Sequence, residues 1–457
     1  MELRWSVCAH RRCGRACVLW RKPDMEGAGT SSKIRHAVAE CDAGTVEGGV
    51  RPVSVARPSR RSLSALDLLN MTVGDVGSGV GLYLSVYLLS NLHWDHGSIG
   101  VALSALSIAS IAAQVPAGML TDCVHRKRLL VAVPLLVLAA CSFAITQARS
   151  FTAVIVIQTA AGIALSIAAA AIIGITLGLV GAERFAARIG RNEAFNHCGN
   201  VLVAVCAAAL GYYLSLRSIF LFIGAVALMG AVAALAIKPA DIDYRRARAS
   251  EPFNNLAVPL RVVITNKRIA GFCCALMFWH LANAALCPLA GQYVAELNPG
   301  TAGFSMSACI LAAQLVMIPA ALISGKLAVS CGRRPLVLAA FAILPVRALL
   351  YTLSAHPLVV MAIQLLDGAG AGILGVLTSV VIADAAAGTG RYNAARSMAS
   401  VAQGVGAAFS NLLAGWIVAC YGYAICFYSL AAIAAFALII CQFAMQESGS
   451  NLASQPQ

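Results

Sequence analysis

Charge is scarce in this sequence: Asp, Glu, Lys and Arg make up 11% of its 457 residues, against about 25% in a soluble globular domain. With 60% hydrophobic residues and a mean hydropathy of +0.81, that scarcity excludes an ordinary soluble fold and leaves an integral membrane protein. Acids are scarcer still, 19 against 33 Lys and Arg. The surplus does not point to nucleic acid, because its placement follows membrane topology. Thirty of the 33 basic residues fall on one side of the topology that the apolar runs dictate, leaving Arg149, Arg217 and Arg347, which is the positive-inside pattern. No glycine-rich phosphate loop follows a strand, so ATP-driven transport is not supported. No nucleophile and base pair, and no zinc-spaced His cluster, stands at a helix end, which argues against a membrane enzyme. The 16 cysteines sit mostly singly in apolar stretches, as at Cys141, Cys206, Cys309 and Cys441. Cys there behaves as a small hydrophobe, so no disulfide framework is expected. Cys8, Cys13 and Cys17 with His10 fit no zinc module. Neither a metal nor a cofactor is expected.

Residues 1–64 hold 12 Lys or Arg and no apolar run long enough to span a bilayer, and read as a disordered basic cytoplasmic extension. They contain no secretory signal, and Met25 or a later Met is an alternative start. Twelve apolar stretches follow, at 67–90, 98–120, 128–147, 152–180, 193–214, 217–238, 269–293, 302–324, 335–354, 357–383, 398–419 and 422–443. Each is near the 17 to 25 residues that a spanning helix requires. The expected fold is therefore all-α and integral to the membrane. Twelve transmembrane helices form two six-helix halves, residues 65–238 and 269–443, joined by a cytoplasmic linker at 239–268 and followed by a tail at 444–457. An even count puts both termini on one side, and the Arg-rich N-terminus makes that side the cytoplasm. The loops agree: Arg126, Lys127 and Arg128, then Arg184, Arg188 and Arg191, then Arg333 and Arg334, lie inside, whereas 91–96 and 354–357 have no Lys or Arg.

Two short charged loops relate the halves. Gly118-Met119-Leu120-Thr121-Asp122-Cys123-Val124-His125-Arg126-Lys127-Arg128 follows the second span, and Gly325-Lys326-Leu327-Ala328-Val329-Ser330-Cys331-Gly332-Arg333-Arg334 follows the eighth. A second match is Ile189-Gly190-Arg191-Asn192 against Thr389-Gly390-Arg391-Tyr392-Asn393, each Gly-Arg pair expected to open the next helix. Matched loops at matched places imply internal duplication.

The first loop resembles the signature G-x-L-x-D-R-x-G-R-[RK] of the major facilitator superfamily of secondary transporters. It matches at Gly118, Leu120, Asp122, Arg126 and Lys127 and departs at Cys123 and His125; the second copy keeps Gly325, Leu327, Gly332, Arg333 and Arg334 and has Val329 in place of the acid. The resemblance covers roughly residues 67–443 and implies the major facilitator fold, with alternating access between the halves. It implies that Asp122 acts as a conformational latch against the N-terminus of the eleventh helix. Asp384, with Glu183 at a loosely similar place, pairs with loop arginines such as Arg391 on the same reading, or makes only surface ion pairs.

Polar groups inside a bilayer are costly and mark a cavity, a packing contact or an ion path. In the first span Asp75 lies among Gly74, Gly77, Gly79 and Gly81 and is read either as a cavity acid that carries a proton or as a structural hydrogen-bond partner. In the fifth, Asn196, His197 and Asn200 line a cavity or glue helices together, and His197 can titrate near neutral pH. The seventh supplies Trp279, His280 and Asn283, the eighth Gln314, the tenth Gln364 and Asp367, and the eleventh Gln403 and Asn411. All stand on helices that the resemblance places at or beside the central cavity. Asp367 is the second candidate proton carrier, or the partner of a cation. Arg347, in the peripheral ninth span, is expected to snorkel outward or to pair with a neighbour's acid. Prolines 116, 134, 288, 319 and 345 fall within spans and favour kinks.

The expected function is secondary active transport of a small polar or amphipathic organic solute, proton-coupled, by a monomer in the bacterial inner membrane, whose partners are the solute, protons and lipid and not nucleic acid. A membrane sensor of the same fold is the alternative from another class. A drug efflux antiporter is the alternative within the class; the resemblance disfavours it, because the G-x-x-x-G-P motif that marks many drug antiporters of the family is absent from the fifth span, where the run from Gly199 to Gly211 contains no proline.

Overall fold

The computed structural model describes residues 58–74, 84, 87, 88, 91–94, 96–250, 257–297, 302–354 and 356–445. Asp75 and the Cys8, His10, Cys13 and Cys17 group lie outside the described residues. The described regular structure is helical, with two isolated bridges from Ser250 to Gly388 and Thr389.

The helix starts follow local chemistry. Helix α1, Arg60–Val73, begins inside the stretch assigned by sequence to the extension, because Ser59 accepts the Ser62 N–H at 3.3 Å as an N-cap. Asp241 of a 3-10 turn, Pro239–Asp241, secures that start by accepting from the Ser59 N–H at 3.0 Å and the Ser62 hydroxyl at 2.7 Å. The Ser59 hydroxyl also donates to Asp241, and this bond first, then that from the Ser62 hydroxyl, holds the Asp241 carboxyl below the ordinary Asp range. Helix α2, His96–Cys123, carries Pro116, and α3, Leu129–Ile145, carries Pro134. Arg128 donates to the carbonyls of Leu235 and Ile237, both at 2.9 Å, where α5, Leu216–Ala236, runs out of internal donors.

Helix α4, Phe151–Tyr213, is 63 residues of near-continuous helix. A straight rod of that length would run about 95 Å, three times a roughly 30 Å hydrocarbon core. It is broken at Gly181, at φ 70° and ψ 173°, a conformation that a side chain disfavours. The break stands at the end of the predicted fourth span, 152–180, but residues 182–192, read as a loop that closes on Gly190-Arg191, are already helical. Helix α12, Tyr392–Ala444, is broken in the same way at Gly422, at φ 82° and ψ 173°, and there the sequence placed the break correctly.

Between them lie the 3-10 turn Arg246–Arg248, α6 (Leu260–Ile264), α7 (Lys267–Asn283), α8 (Leu286–Leu297), α9 (Ala302–Ser330), α10 (Arg333–Leu350) and α11 (Pro357–Ala385). Among the described residues seven helical segments are long and apolar enough to cross a membrane: Val101–Cys123, Phe151–Gly211, Leu216–Ala236, Lys267–Val294, Leu311–Ser330, Pro357–Ala385 and Tyr392–Ala444. Their buried apolar residues form two clusters. One draws on residues 65–237, and the other on residues 263–445 joined by Leu177, Phe185, Ala186 and Ile189. Large apolar side chains such as Ile108, Val156, Leu412 and Phe443 face outward, as a lipid-contacting surface requires.

Candidate functional site

Asp122 ends α2 fully buried against the start of α12. Its Oδ1 accepts from the Asn393 N–H at 3.2 Å and from Asn393 Nδ2 at 2.8 Å, and its Oδ2 accepts from the Ala394 N–H at 3.0 Å. Arg391, at the N-cap of α12, has no capping side-chain bond, so an acid 270 residues away takes that place and meets the positive end of the helix dipole. Gly118, one turn earlier, permits the approach: a Cβ there would lie 2.5 Å from the Asn393 carbonyl oxygen and from Ser397 Oγ. Tyr244 covers the contact from the linker. Its hydroxyl donates to the carbonyls of Asp122 at 2.9 Å and Cys123 at 3.2 Å, and its ring stacks on His125 with centroids 3.7 Å apart. Lys127 Nζ lies 5.1 Å from the same ring centroid and donates to the Thr121 carbonyl. Burial pushes the Lys127 ammonium down to about 8, and the Asp122 charge only partly opposes this. Arg126 is exposed.

The second loop copy makes the corresponding glycine crossing without the acid. A Cβ on Gly190 would stand 2.4 Å from the Ala321 carbonyl oxygen, and one on Gly325 would stand 2.8 Å from that of Ala186. What anchors the helix at Gly190 is Asp67 of α1, which the sequence reading did not single out. Its Oδ1 accepts from Arg188 Nη2 at 2.8 Å and Arg191 Nε at 3.0 Å, and its Oδ2 accepts from Arg191 Nη2 at 2.8 Å. The signal was an acid at the edge of a predicted span, but its partners stand more than 120 residues away. Asp384 pairs with the loop arginine Arg333 at 3.1 Å, while Arg391 Nε donates to the Val258 carbonyl at 2.9 Å. Glu183 is exposed. Gly332, at φ 82°, and Arg334 lie at the start of α10.

Farther along the same helices polar groups meet across the two apolar clusters. His197 Nδ1 bonds Gln314 Oε1 at 2.7 Å, and Asn200 Nδ2 donates to the same oxygen at 3.3 Å. Glu193, one turn before His197, lies within electrostatic reach of both His197 and Arg396. Arg396 donates through Nε to Ser379 Oγ at 3.2 Å and through Nη1 to Ser400 Oγ at 2.7 Å. Among the described residues Glu193 has no hydrogen bond or ion pair. Sequence reading passed over both: Glu193 stood first in its predicted span, and Arg396 stood two residues before its own. Trp279 packs edge-on to His280, centroids 4.8 Å apart, and the Nε1 of one and the Nε2 of the other are buried without a partner among the described residues. Asn196 and Gln403 are half-buried and Asn411 is exposed, and none of the three joins this cluster.

A separate network lies inside the second apolar cluster. Arg347, fully buried, donates through Nη1 to Asp367 Oδ1 and, at 2.7 Å, to Asn283 Oδ1. Its guanidinium carbon lies 5.8 Å from the Tyr351 ring centroid, and the Tyr351 hydroxyl donates to Gln364 Oε1. Of the two expectations for Arg347 the structure has the second, pairing with a neighbour's acid, and Asp367 is correspondingly the partner of a cation; Asn283 and Gln364 are hydrogen-bonded into this network.

The sequence model of the Major Facilitator Superfamily matches residues 66–317 and again 273–456. Uncharacterized MFS-type transporters of two Mycobacterium tuberculosis strains, CDC 1551/Oshkosh and H37Rv, are each 42% identical over 398 residues, which is 86% of this chain and 95% of theirs. Among solved structures, the MFS transporter FucP in the outward conformation superposes with a TM-score of 0.69 at 13% identity, covering 84% of this chain and 99% of that one. The proton:xylose symporter XylE gives 0.63 at 12% identity, over 84% and 95%, and the nucleoside transporter NupG 0.60 at 14%, over 84% and 100%. At such low identities these structures speak to fold alone. With two overlapping family matches and close curated relatives in hand, the chain belongs to the major facilitator superfamily and is a membrane transporter rather than an enzyme.

Proposed function

We propose that the protein is a proton-coupled secondary transporter of a small polar organic solute, working by alternating access. Its twelve helices form two six-helix halves, 65–238 and 269–443, joined by the linker 239–268. Both termini, the extension 1–64 and the tail 444–457 face the cytoplasm, and the protein is a monomer in a bacterial inner membrane. The breaks at Gly181 and Gly422 support the helix count, since each turns one long rod into two membrane crossings. The two apolar clusters support the two halves.

The observation that carries the reading is the polar cluster where the halves meet: His197 and Asn200 from one, Gln314 from the other, with Glu193 and Arg396 beside them. Ionisable groups are kept in a membrane interior where they serve an ion or solute path. Asp122 on α12, together with the Gly190 and Gly325 crossing, holds the Arg-rich end closed, so solute enters from the opposite end. Protonation of Glu193 weakens its attraction to Arg396 across the halves and to His197 one turn along its own helix, and rocking then parts the Asp122 contact and carries proton and solute together. His197 takes part in the relay, and Asp75 remains a second carrier. The substrates of the structural neighbours, xylose for XylE and nucleosides for NupG, are in keeping with a polar solute.

The test is proton movement into liposomes that hold the purified protein and an internal pH dye, while sugars, nucleosides and organic acids are added to wild type, Glu193→Gln and Asp75→Asn. A solute-dependent signal that Glu193→Gln abolishes while labelled solute still exchanges is the expected result. A signal kept in Glu193→Gln and lost in Asp75→Asn moves coupling to Asp75. Uphill solute accumulation without proton movement in wild type overturns proton coupling.

A further inference from the structure

At the Arg-rich end of α7, α10, α11 and α12 lies a cavity of about 320 Å³ that the transport path does not use. Among the described residues its charged wall is Arg268, Arg333 and Arg334 against one carboxylate, Asp384. Its other wall is apolar, and includes Phe272 and Met445. We infer that this cavity binds the phosphate of an anionic phospholipid.

Three guanidinium groups facing one acid leave the cavity with net positive charge. The Arg333 to Asp384 pair, at 3.1 Å, is open enough on both sides for an incoming anion to compete for it. The floor adds to the field. The 18-residue helix α10 starts at Gly332 with no capping side chain, and Gly332, Arg333 and Arg334 all line the cavity. Its first N–H groups thus supply donors of the kind that hold phosphate, alongside the guanidinium forks.

The apolar wall decides the source of the phosphate. Phe272 and Met445 are already buried by the protein, but Phe443, next to the cavity's Ala444, is exposed; an inorganic or sugar phosphate would leave it uncovered, whereas a glycerolipid covers it with the start of its acyl chains. The outer surface of α12 continues the apolar path, with Phe436, Ile439 and Phe443 exposed beside the cavity's Ala444. A cavity that is basic at the membrane surface and apolar toward the bilayer matches the headgroup region of a lipid.

The test titrates phosphatidylglycerol, phosphatidylcholine, glycerol phosphate and inorganic phosphate into the delipidated full-length protein in neutral detergent, with native mass spectrometry and thermal shift as readouts. Phosphatidylglycerol is expected to remain as a one-to-one adduct and to raise the melting temperature, while the other three do neither at the same concentration. Arg268→Gln with Arg334→Gln is expected to weaken that response more than tenfold, from roughly fivefold per basic group near a lipid surface. Asp384→Asn removes the competing carboxylate and is expected to strengthen it, and this variant keeps the inference testable should the double variant not fold. Arg217→Gln, at the opposite end, serves as the control and leaves the response unchanged. Equal responses to phosphatidylglycerol and phosphatidylcholine overturn the inference, as does a response that Asp384→Asn leaves unchanged. A response to inorganic phosphate matching that to phosphatidylglycerol overturns the lipid as the source.

Discussion

Asp122 caps a helix to which it does not belong: its carboxylate takes the backbone N–H groups of Asn393 and Ala394 at 3.2 and 3.0 Å, 271 and 272 residues away in sequence. A capping acid of this kind is worth about 1 kcal/mol at an ordinary helix end, and buried N–H groups left without an acceptor raise that to as much as about 3 kcal/mol. Asp122→Ala is accordingly expected to destabilise the closed Arg-rich end by about 1 to 3 kcal/mol. Asp122→Asn, which keeps one acceptor oxygen and loses the charge, should lie nearer the lower value. Spin labels placed on Arg126 and Arg391 variants, with their distance distribution measured in each background, would show a larger open population in Asp122→Ala than in Asp122→Asn. Unchanged distances in both would remove Asp122 from the latch.

Close approach of backbone at Gly118 and Gly190 makes a second prediction. A methyl group at either site meets a carbonyl oxygen at 2.5 or 2.4 Å, well inside van der Waals contact, so helices must part. Overpacking of this sort costs typically 1 to 3 kcal/mol. Gly118→Ala and Gly190→Ala should each slow solute transport and favour the open Arg-rich end in the same distance measurement, whereas Gly415→Ala, whose Cβ would meet nothing within 4 Å, should act as wild type.

The Arg347 and Asp367 pair lends itself to a double-mutant cycle. Removing one partner strands a buried charge, at about 3 to 5 kcal/mol, while replacing both by apolar groups is far milder. Arg347→Met and Asp367→Leu should each lower thermal stability strongly, and the double variant should regain much of it. Transport by the double variant separates two roles: proton-driven accumulation that survives shows Asp367 to be structural, and its loss in a well-folded double variant returns Asp367 to the coupling path.

Stability should also depend on pH through Lys127. Its folded pKa, lowered from 10.5 to about 8 by burial, means that between those values the unfolded chain holds more protons than the folded one. Stability therefore rises with pH across that window and levels off above it, and the gain is lost as pH falls through about 8. Lys127→Met removes the titrating group, so melting temperatures from pH 7 to 10 should rise more steeply in wild type than in the variant. Parallel curves would mean that Lys127 keeps an ordinary ammonium.

Much of this protein was legible from pattern alone. Apolar runs of bilayer length, the one-sided Lys and Arg, and two loop copies after equivalent spans point to the membrane class and the family, because these features reflect the bilayer as solvent and need no knowledge of contacts. Gly181 and Gly422 were both readable as breaks because each stands at the edge of a predicted span, while the early start of the helix after Gly181 was not, because Gly190-Arg191 offered an equally good turn that the chain passes through as helix. Asp122 was readable because its motif is local. Tertiary structure decided the pairings: Asp67 with Arg188 and Arg191, Arg347 with Asp367, Glu193 beside Arg396, and Tyr244 over His125. All but Arg347 with Asp367, which stand on successive helices, join residues more than 100 apart in the chain, and the cost of leaving a charge unpaired in a dry interior falls on whichever partner packing brings near. The sequence by itself determined that these charges need partners, and only the packing of the helices decided which.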